Sequence, residues 1–228
     1  MTFLVLIRHA TNDWVHKGLL AGWTPGVHLN EEGHAQAQAL SERLADSQLD
    51  AIYSSPLERA VETAQIVAAP HGLEIQINPG IGEVHYGAWN GQPLRELAKK
   101  PLWRGVQLYP SGTRFPEGES IGEMQARVVS ALDEIRSAHK DGIVVAVAHA
   151  DIIKAAVAYY VGTPLDLFQR LVISPASVTV IGFSPYGPRL LRMNDDGKIK
   201  LERPDHPKLH RKRRRKAEKL LGPRRRRR

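Results

Sequence analysis

Two short runs in the chain contain no polar residue, "FLVLI" at 3–7 and "IVVAV" at 143–147. Both are rich in β-branched residues, and both stop abruptly at polar ones. A strand with one wet face alternates apolar and polar positions. A run without alternation predicts a strand covered on both faces, as in a parallel sheet. "LDAIYSS" (49–55) and "LEIQI" (73–77) read as further strands. Strand-like segments near 170–182 and 188–193 complete the set.

Helical spacing fills the intervals. A helix over 31–46 follows Asn30, a good N-cap. A second, over 56–69, has Ser55 as its cap and Pro56 at its first position, with Leu57, Ala60, Val61, Ala64 and Ala68 on one face. Ser120 and Glu123 have the spacing of a capping box for a helix over 121–138. Its stripe is Ile121, Met124, Val128, Leu132 and Ile135. A further helix is expected over about 151–161. This alternation predicts an α/β fold of three layers, α/β/α, around a mostly parallel sheet. The segment 90–119 breaks the rhythm with its prolines, glycines and Trp103, and reads as an excursion that caps the sheet.

Composition agrees with a folding chain. The 228 residues suit one domain with a single well-filled core. Hydrophobic residues make up 42% and charged residues 25%, close to the globular average. Cysteine is absent, which excludes structural disulfides, thiolate metal sites and cysteine nucleophiles. No apolar stretch nears the roughly 18 residues of a membrane span. The first apolar run has no basic segment before it, unlike a signal peptide. A cytoplasmic protein is expected.

The net charge of +8 hides an asymmetry. Fourteen of the 32 Lys and Arg lie from Arg203 onward, against only Asp205 and Glu218. The rest of the chain is mildly acidic. The domain is therefore placed at 1–202 and a basic, disordered tail at 203–228. "HRKRRRKAEKLLGPRRRRR" (210–228) is read either as a solvated extension or as a sequence-blind contact to a polyanion. It has no aromatic residue for base stacking.

Ligands of open α/β sheets bind beyond the carboxyl ends of the strands. The first strand ends in Arg8-His9, and "IVVAV" ends in Ala148-His149. The second strand leads into "SSPLERA", which puts Arg59 on the first turn of a helix. The third leads into "GIGEVHYGAWNG", which carries Glu83. Each has a bland alternative: strand-end punctuation, a core histidine, a solvated arginine, a loop carboxylate. Four strand ends converging is the stronger signal.

Such a set suits phosphoryl chemistry. Guanidiniums offer forked donors to a phosphoryl group, and they disfavour protonation of a nearby imidazole. A neutral histidine can then attack phosphorus. A second histidine, if protonated, stabilises charge on the transferring group. A carboxylic acid can protonate the leaving alkoxide and then activate water. No metal or other cofactor is required.

The motifs "RHAT", "SSPLERAVETA", "GEVHYGAWNG" and "VAHAD" resemble, in order and spacing, those of the histidine phosphatase superfamily, the phosphoglycerate mutase-like proteins. The resemblance covers about residues 2–193. It extends to actinobacterial members through "LAGWTPGV", "PLWR", "FPEGES" and "DIIKA". It implies that His9 is a phosphohistidine nucleophile and that Glu83 is the proton donor. Arg8, Arg59 and His149 would hold the phosphoryl group, with Asn12 as a further pocket residue. Two departures stand out. Ala10 and Ala150 follow the catalytic histidines where the family usually has glycine. Asp151, two residues after His149, is an alternative proton donor, although Glu83 matches the commoner pattern.

A mutase needs extra basic contacts to a second anion. The 90–119 segment offers Arg95, Lys99, Lys100, Arg104 and Arg114 without the dense cluster of glycolytic mutases. A phosphatase acting on a small phosphomonoester is therefore expected. Leu102, Trp103 and Phe115 suggest an apolar wall for a non-sugar leaving group, or a small core of the excursion itself. Two other readings stay open: a mutase, and a polyanion-binding protein of low turnover on the same scaffold. Of the remaining histidines, His85 is a weak candidate, His16 and His28 flank the expected mouth, and His34, His71, His139, His206 and His210 are assigned to solvent.

Overall fold

The computed structural model describes residues 1–197. The basic tail and the end of the expected domain, 198–202, lie outside the described residues. Six strands form one sheet in the order β3-β2-β4-β1-β5-β6. They are β1 (Thr2–Arg8), β2 (Ala51–Ser54), β3 (Ile75–Ile77), β4 (Ile143–Ala148), β5 (Val178–Ser184) and β6 (Gly187–Asp195). The two runs without alternation are β1 and β4, which sit side by side in the middle. The first four strands of the order are parallel, while β1–β5 and β5–β6 are antiparallel.

Alternate residues of the central strands feed two cores. Leu4, Leu6, Val144 and Ala146 face one layer. There they join Met124, Val128 and Leu132 of α6 (Ile121–Ala138) and Ile152 and Ala156 of α7 (Ala150–Val161). Val5, Ile7, Val145 and Val147 face the other. They join Ala37 and Leu40 of α2 (Glu31–Leu44) and Ala60, Ala64 and Val67 of α3 (Glu58–Ala68). The three-layer α/β/α architecture follows directly.

Some boundaries differ from expectation. The helix expected from Pro56 begins at Glu58, and Leu57 is its N-cap without a side-chain bond. Ser55 precedes the N-cap by two residues: its hydroxyl accepts from Leu57 N at 3.4 Å and lies 2.8 Å from His149 Nε2. The strand expected from 170 starts only at Val178. Residues Leu165–Arg170 wind as a 3₁₀ helix, and Pro175 cannot donate to a ladder. The capping box of Ser120 and Glu123 is present as expected. The 90–119 segment holds α4 (Leu94–Leu97) and α5 (Pro101–Leu108), which follow α1 (Asp13–Lys17), α2 and α3 in the chain.

One close approach fixes the loop after β1. The N-terminal turn of α2 presses Gly33 against it, and a Cβ there would lie 2.1 Å from the Thr11 carbonyl oxygen. Neither backbone can yield easily, since Asn30 Oδ1 caps Gly33 N at 2.9 Å and Gln36 Oε1 accepts from Thr11 N at 3.0 Å. Gly33→Ala should therefore destabilise the fold by about 1–3 kcal/mol despite the better helix propensity of alanine. Urea denaturation measures this, and unchanged or raised stability would contradict the packing account.

Candidate active site

The parallel register of β1 and β4 sets the site. Arg8 pairs with Ala148, so His9 and His149 both stand one residue past the paired ends. His9 N donates to the Ala148 carbonyl at 2.9 Å. The two imidazole centroids are 5.1 Å apart and inclined by 59°. Both rings are buried.

Arg59 rises from the first turn of α3 beside this pair, within reach of both rings, and is 1% exposed. Its Nε donates to His9 Nε2 at 3.4 Å, and its Nη2 donates to the Gly22 carbonyl at 2.9 Å. The same Nη2 lies 3.4 Å from His149 Nδ1. Arg8 Nη1 donates to the Ile173 carbonyl at 2.6 Å. Among the described residues no carboxylate is within ion-pair distance of either guanidinium. Arg8 Nε, Arg59 Nη1 and Asn12 Nδ2 are buried donors with no partner. Buried polar groups are normally satisfied. Three orphaned donors beside two uncompensated cations make a place for an oxyanion.

The electrostatics follow from the same burial. His9 is held well below the ordinary imidazole pKa, first by burial and then by Arg59 and Arg8. Its Nδ1 lies 2.8 Å from the Ala10 carbonyl. Only a protonated Nδ1 can donate there, which leaves the Nε2 lone pair facing Arg59. His149 is also held well below the ordinary value, by burial, then Arg59 and His9. The imidazolium considered from sequence is thus disfavoured by the site's own residues. If Arg59 donates to Nδ1 of His149, then Nε2–H donates to Ser55.

Glu83 comes from the loop after β3. Its pKa is raised to about 7, first by burial and then by Asp151, with Arg59 and Arg8 opposing. Its Oε2 is 3.6 Å from His149 Nδ1, and its Oε1 accepts from Val84 N at 3.0 Å. Arg127 of α6 pins this loop by donating to the Gly80, Gly82 and Glu83 carbonyls, at 2.8, 3.1 and 3.3 Å. Trp23 Nε1 also donates to the Glu83 carbonyl, at 2.7 Å. Asp151 is otherwise committed. It accepts from Tyr86 Oη at 3.1 Å and from Lys154 Nζ at 3.1 Å.

A cavity of about 310 Å³ opens over this set and is lined by Arg8, His9, Asn12, Arg59, Glu83 and Asp151 among others. His149 lies beneath them. Asn12 also caps α1, with Oδ1 accepting from Val15 N at 3.0 Å. Ala10 and Ala150 cause no backbone strain, since neither has a positive φ. Among the described residues no group of His, Asp and Glu has the clustering of a metal site.

Sequence reasoning missed Ser55, Tyr86, Arg127 and Trp23. Ser55 was placed as a helix cap. Arg127 occupies a position beside the apolar stripe of α6, where a polar residue carries no signal. His85 does not line the cavity and instead stacks on Trp23 at 4.5 Å. His16 pairs with Glu32, and His28 with Glu62, away from the cavity. His34 is exposed as expected. His71 and His139 are half-buried rather than solvated, because His139 meets the Tyr53 hydroxyl at 3.0 Å. His206 and His210 lie outside the described residues.

Comparison with known proteins agrees with this architecture. The sequence matches the histidine phosphatase superfamily (branch 1) over residues 4–196. Phosphoserine phosphatase 1 of Hydrogenobacter thermophilus is 32% identical over 197 residues, which are 85% of this chain and 92% of that protein. A 2,3-bisphosphoglycerate-dependent phosphoglycerate mutase of Thermoplasma acidophilum is 32% identical over 181 residues, 79% of this chain and 87% of its own length. The crystal structure of Entamoeba histolytica phosphoserine phosphatase in complex with 3-phosphoglyceric acid superposes with a TM-score of 0.79 at 26% identity, covering 86% of this chain and 98% of that one. The chain belongs to the histidine phosphatase superfamily and is an enzyme of the phosphatase class. Among the described residues no helix is long and apolar enough to cross a membrane.

The raised Glu83 pKa has a consequence for stability. An unfolded carboxyl titrates near the ordinary 4.5, and the folded one near 7. Between these values the folded chain holds a proton that the unfolded chain has lost. Stability from this group is complete below about pH 4.5 and is lost as pH rises through 7. Glu83→Gln removes the titration. Its stability relative to the parent should grow from about pH 4.5 to about pH 8, toward a limit on the order of 3 kcal/mol. Urea denaturation at several pH values reads this, and a difference that does not change with pH would contradict the assignment.

Proposed function

We propose that the chain is a metal-independent phosphomonoesterase of the cytoplasm that works on a small phosphorylated metabolite through a phosphohistidine at His9. The observation that carries this reading is the buried Arg59 and half-buried Arg8 guanidiniums, each with an orphaned buried donor, set against a neutral imidazole. Arg8, Arg59 and Asn12 would bind the phosphoryl oxygens. His9 Nε2 attacks phosphorus as the ester P–O bond breaks. The leaving alkoxide takes the proton of Glu83, whose raised pKa keeps that proton near neutrality. Water then attacks phosphorus, the P–N bond breaks, and the Glu83 carboxylate takes the proton from water. Inorganic phosphate leaves, and His9 is neutral again.

His149 lies beside His9, their ring centroids 5.1 Å apart, and shares Arg59 with it. The arriving phosphoryl dianion would favour its protonation and so recruit a further positive charge for the transferring group. Asp151 is the poorer proton donor, since Tyr86 and Lys154 both donate to its carboxylate. A mutase needs cations for a second anion. Arg95, Lys99, Lys100, Arg104 and Arg114 are all outside the cavity lining, which favours hydrolysis. The segment at 90–119 serves as a cap over the site, because it supplies Leu94, Trp103, Val106, Gln107 and Phe115 to the cavity wall.

The test is hydrolysis of 4-nitrophenyl phosphate with a chelator present. Turnover should survive the chelator and fall by more than about a thousandfold in His9→Ala. Chelator-sensitive turnover, or full activity of the variant, would refute the reading.

Glu83→Gln should separate two classes of ester. An alkyl alkoxide needs the proton, whereas 4-nitrophenolate scarcely does. The variant should lose roughly a hundredfold or more in kcat/KM on an alkyl phosphate and much less on the nitrophenyl ester. In the parent, kcat/KM for the alkyl ester should decline above about pH 7, where Glu83 loses its proton. Equal losses on both esters would remove Glu83 from the role of acid.

A further inference from the structure

Beyond the phosphoryl site, the cavity has a second half that the chemistry above does not use. Its wall is built from Trp14, Leu20, Trp89, Trp103, Val106 and Phe115. Trp89 and Trp103 lie nearly parallel, with ring centroids 6.2 Å apart and planes inclined by 24°. Phe115 meets Trp89 edge-on at 5.4 Å. Trp89 and Phe115 are buried, while Trp103 keeps a partly open face. A flat apolar group could lie against it.

The charges in the cavity point the same way. Its lining contains three cations, Arg8, Arg59 and Lys154. The two arginines belong to the phosphoryl end. Lys154 Nζ donates to Asp151 Oδ1 and to Gln169 Oε1, both at 3.1 Å. Its charge is already compensated. None of the basic residues of 90–119 lines the cavity: Arg95 and Lys99 pair with Glu96, Arg114 pairs with Glu123, and Lys100 lies 5.9 Å over the Trp89 ring while donating to Gln92. An ester whose alcohol carries a carboxylate would bring that charge to an aromatic wall, with no uncompensated cation in the lining beyond the two phosphoryl arginines to receive it. Desolvating such a charge without a partner is costly. A cost of this kind against the wrong ester selects as effectively as an attraction to the right one.

We propose that the alcohol half of the substrate is an uncharged aromatic or bulky apolar body, and that the cavity discriminates against the carboxylate-bearing phosphoserine and phosphoglycerate named for its relatives. The inference rests on the hydrolase reading above and names the substrate class of that site. Trp103 is its main specificity-determining residue, because it offers the open ring face.

Calorimetric binding to the full-length His9→Ala chain tests this without turnover, with 1-naphthyl phosphate, O-phospho-L-serine and 3-phosphoglycerate as probes. The naphthyl ester should bind roughly tenfold or more tightly than either carboxylate ester. Trp103→Ala in the same background should bring the values within about threefold of one another. Gln107→Arg, a change at an exposed position on the cavity wall, should strengthen phosphoserine binding and narrow the gap from the other side. Phosphoserine or phosphoglycerate binding as tightly as the naphthyl ester would overturn the proposal. So would undetectable binding of the naphthyl ester, or a ratio unmoved by both substitutions. A chain that binds in the expected order but hydrolyses no ester would count against the hydrolase reading alone.

Discussion

The Arg59 guanidinium sits almost wholly inside the protein, reaching two adjacent imidazoles, with no carboxylate in ion-pair reach. A buried charge in this state is costly, and no carboxylate of the described residues offsets it at ion-pair distance. Arg8, half-buried, adds a second cation that likewise has no carboxylate in ion-pair reach. Together they impose three conditions on their surroundings. Both histidines stay neutral, an oxyanion is the natural complement, and the nearest carboxyl must sit far enough away to escape neutralising them. Glu83 meets the last condition. Burial and Asp151 outweigh the attraction of the arginines, so its pKa rises rather than falls.

The fold supports this arrangement with little freedom. Two parallel strands end in register, so two histidines arrive flush at one rim. Arg59 comes from a helix that follows the neighbouring strand. Arg127 reaches from the opposite layer and ties down the loop that carries Glu83. The contact between Gly33 and Thr11 holds the remaining edge, which bears Asn12. Each functional group is therefore placed by a rigid element or by a loop anchored to one. Such placement is what electrostatic preorganisation requires.

Much of this was legible in the sequence because the signals were local. The runs of β1 and β4 lack alternation since both strands are central and covered on both faces. Arg8, His9 and His149 stand at their ends and could be read as a pair. Arg59 and Glu83 required the further step of placing strand ends on one rim. What escaped was set by contacts between distant segments. Ser55 reads as a helix cap until His149 is seen beside it. Arg127 reads as a helix surface residue until the turn at Gly80–Glu83 is seen beneath it. The antiparallel pairings of β5 and β6 depend on a hairpin at Pro185–Tyr186 and on Pro175 delaying the strand, which periodicity alone does not specify. The compensation of Lys154 by Asp151 and Gln169, on which the character of the cavity turns, also comes from tertiary placement.

The claim at the centre is that burial and two arginines hold His9 neutral, with its lone pair on Nε2. Long-range ¹H–¹⁵N correlation of the imidazoles, with His9→Ala used for assignment, observes this directly. The account predicts that His9 keeps a protonated Nδ1 and an unprotonated Nε2 at neutral pH and as the pH falls through the ordinary imidazole midpoint. Titration of His9 near the ordinary value, or a proton on Nε2 at neutral pH, would contradict it.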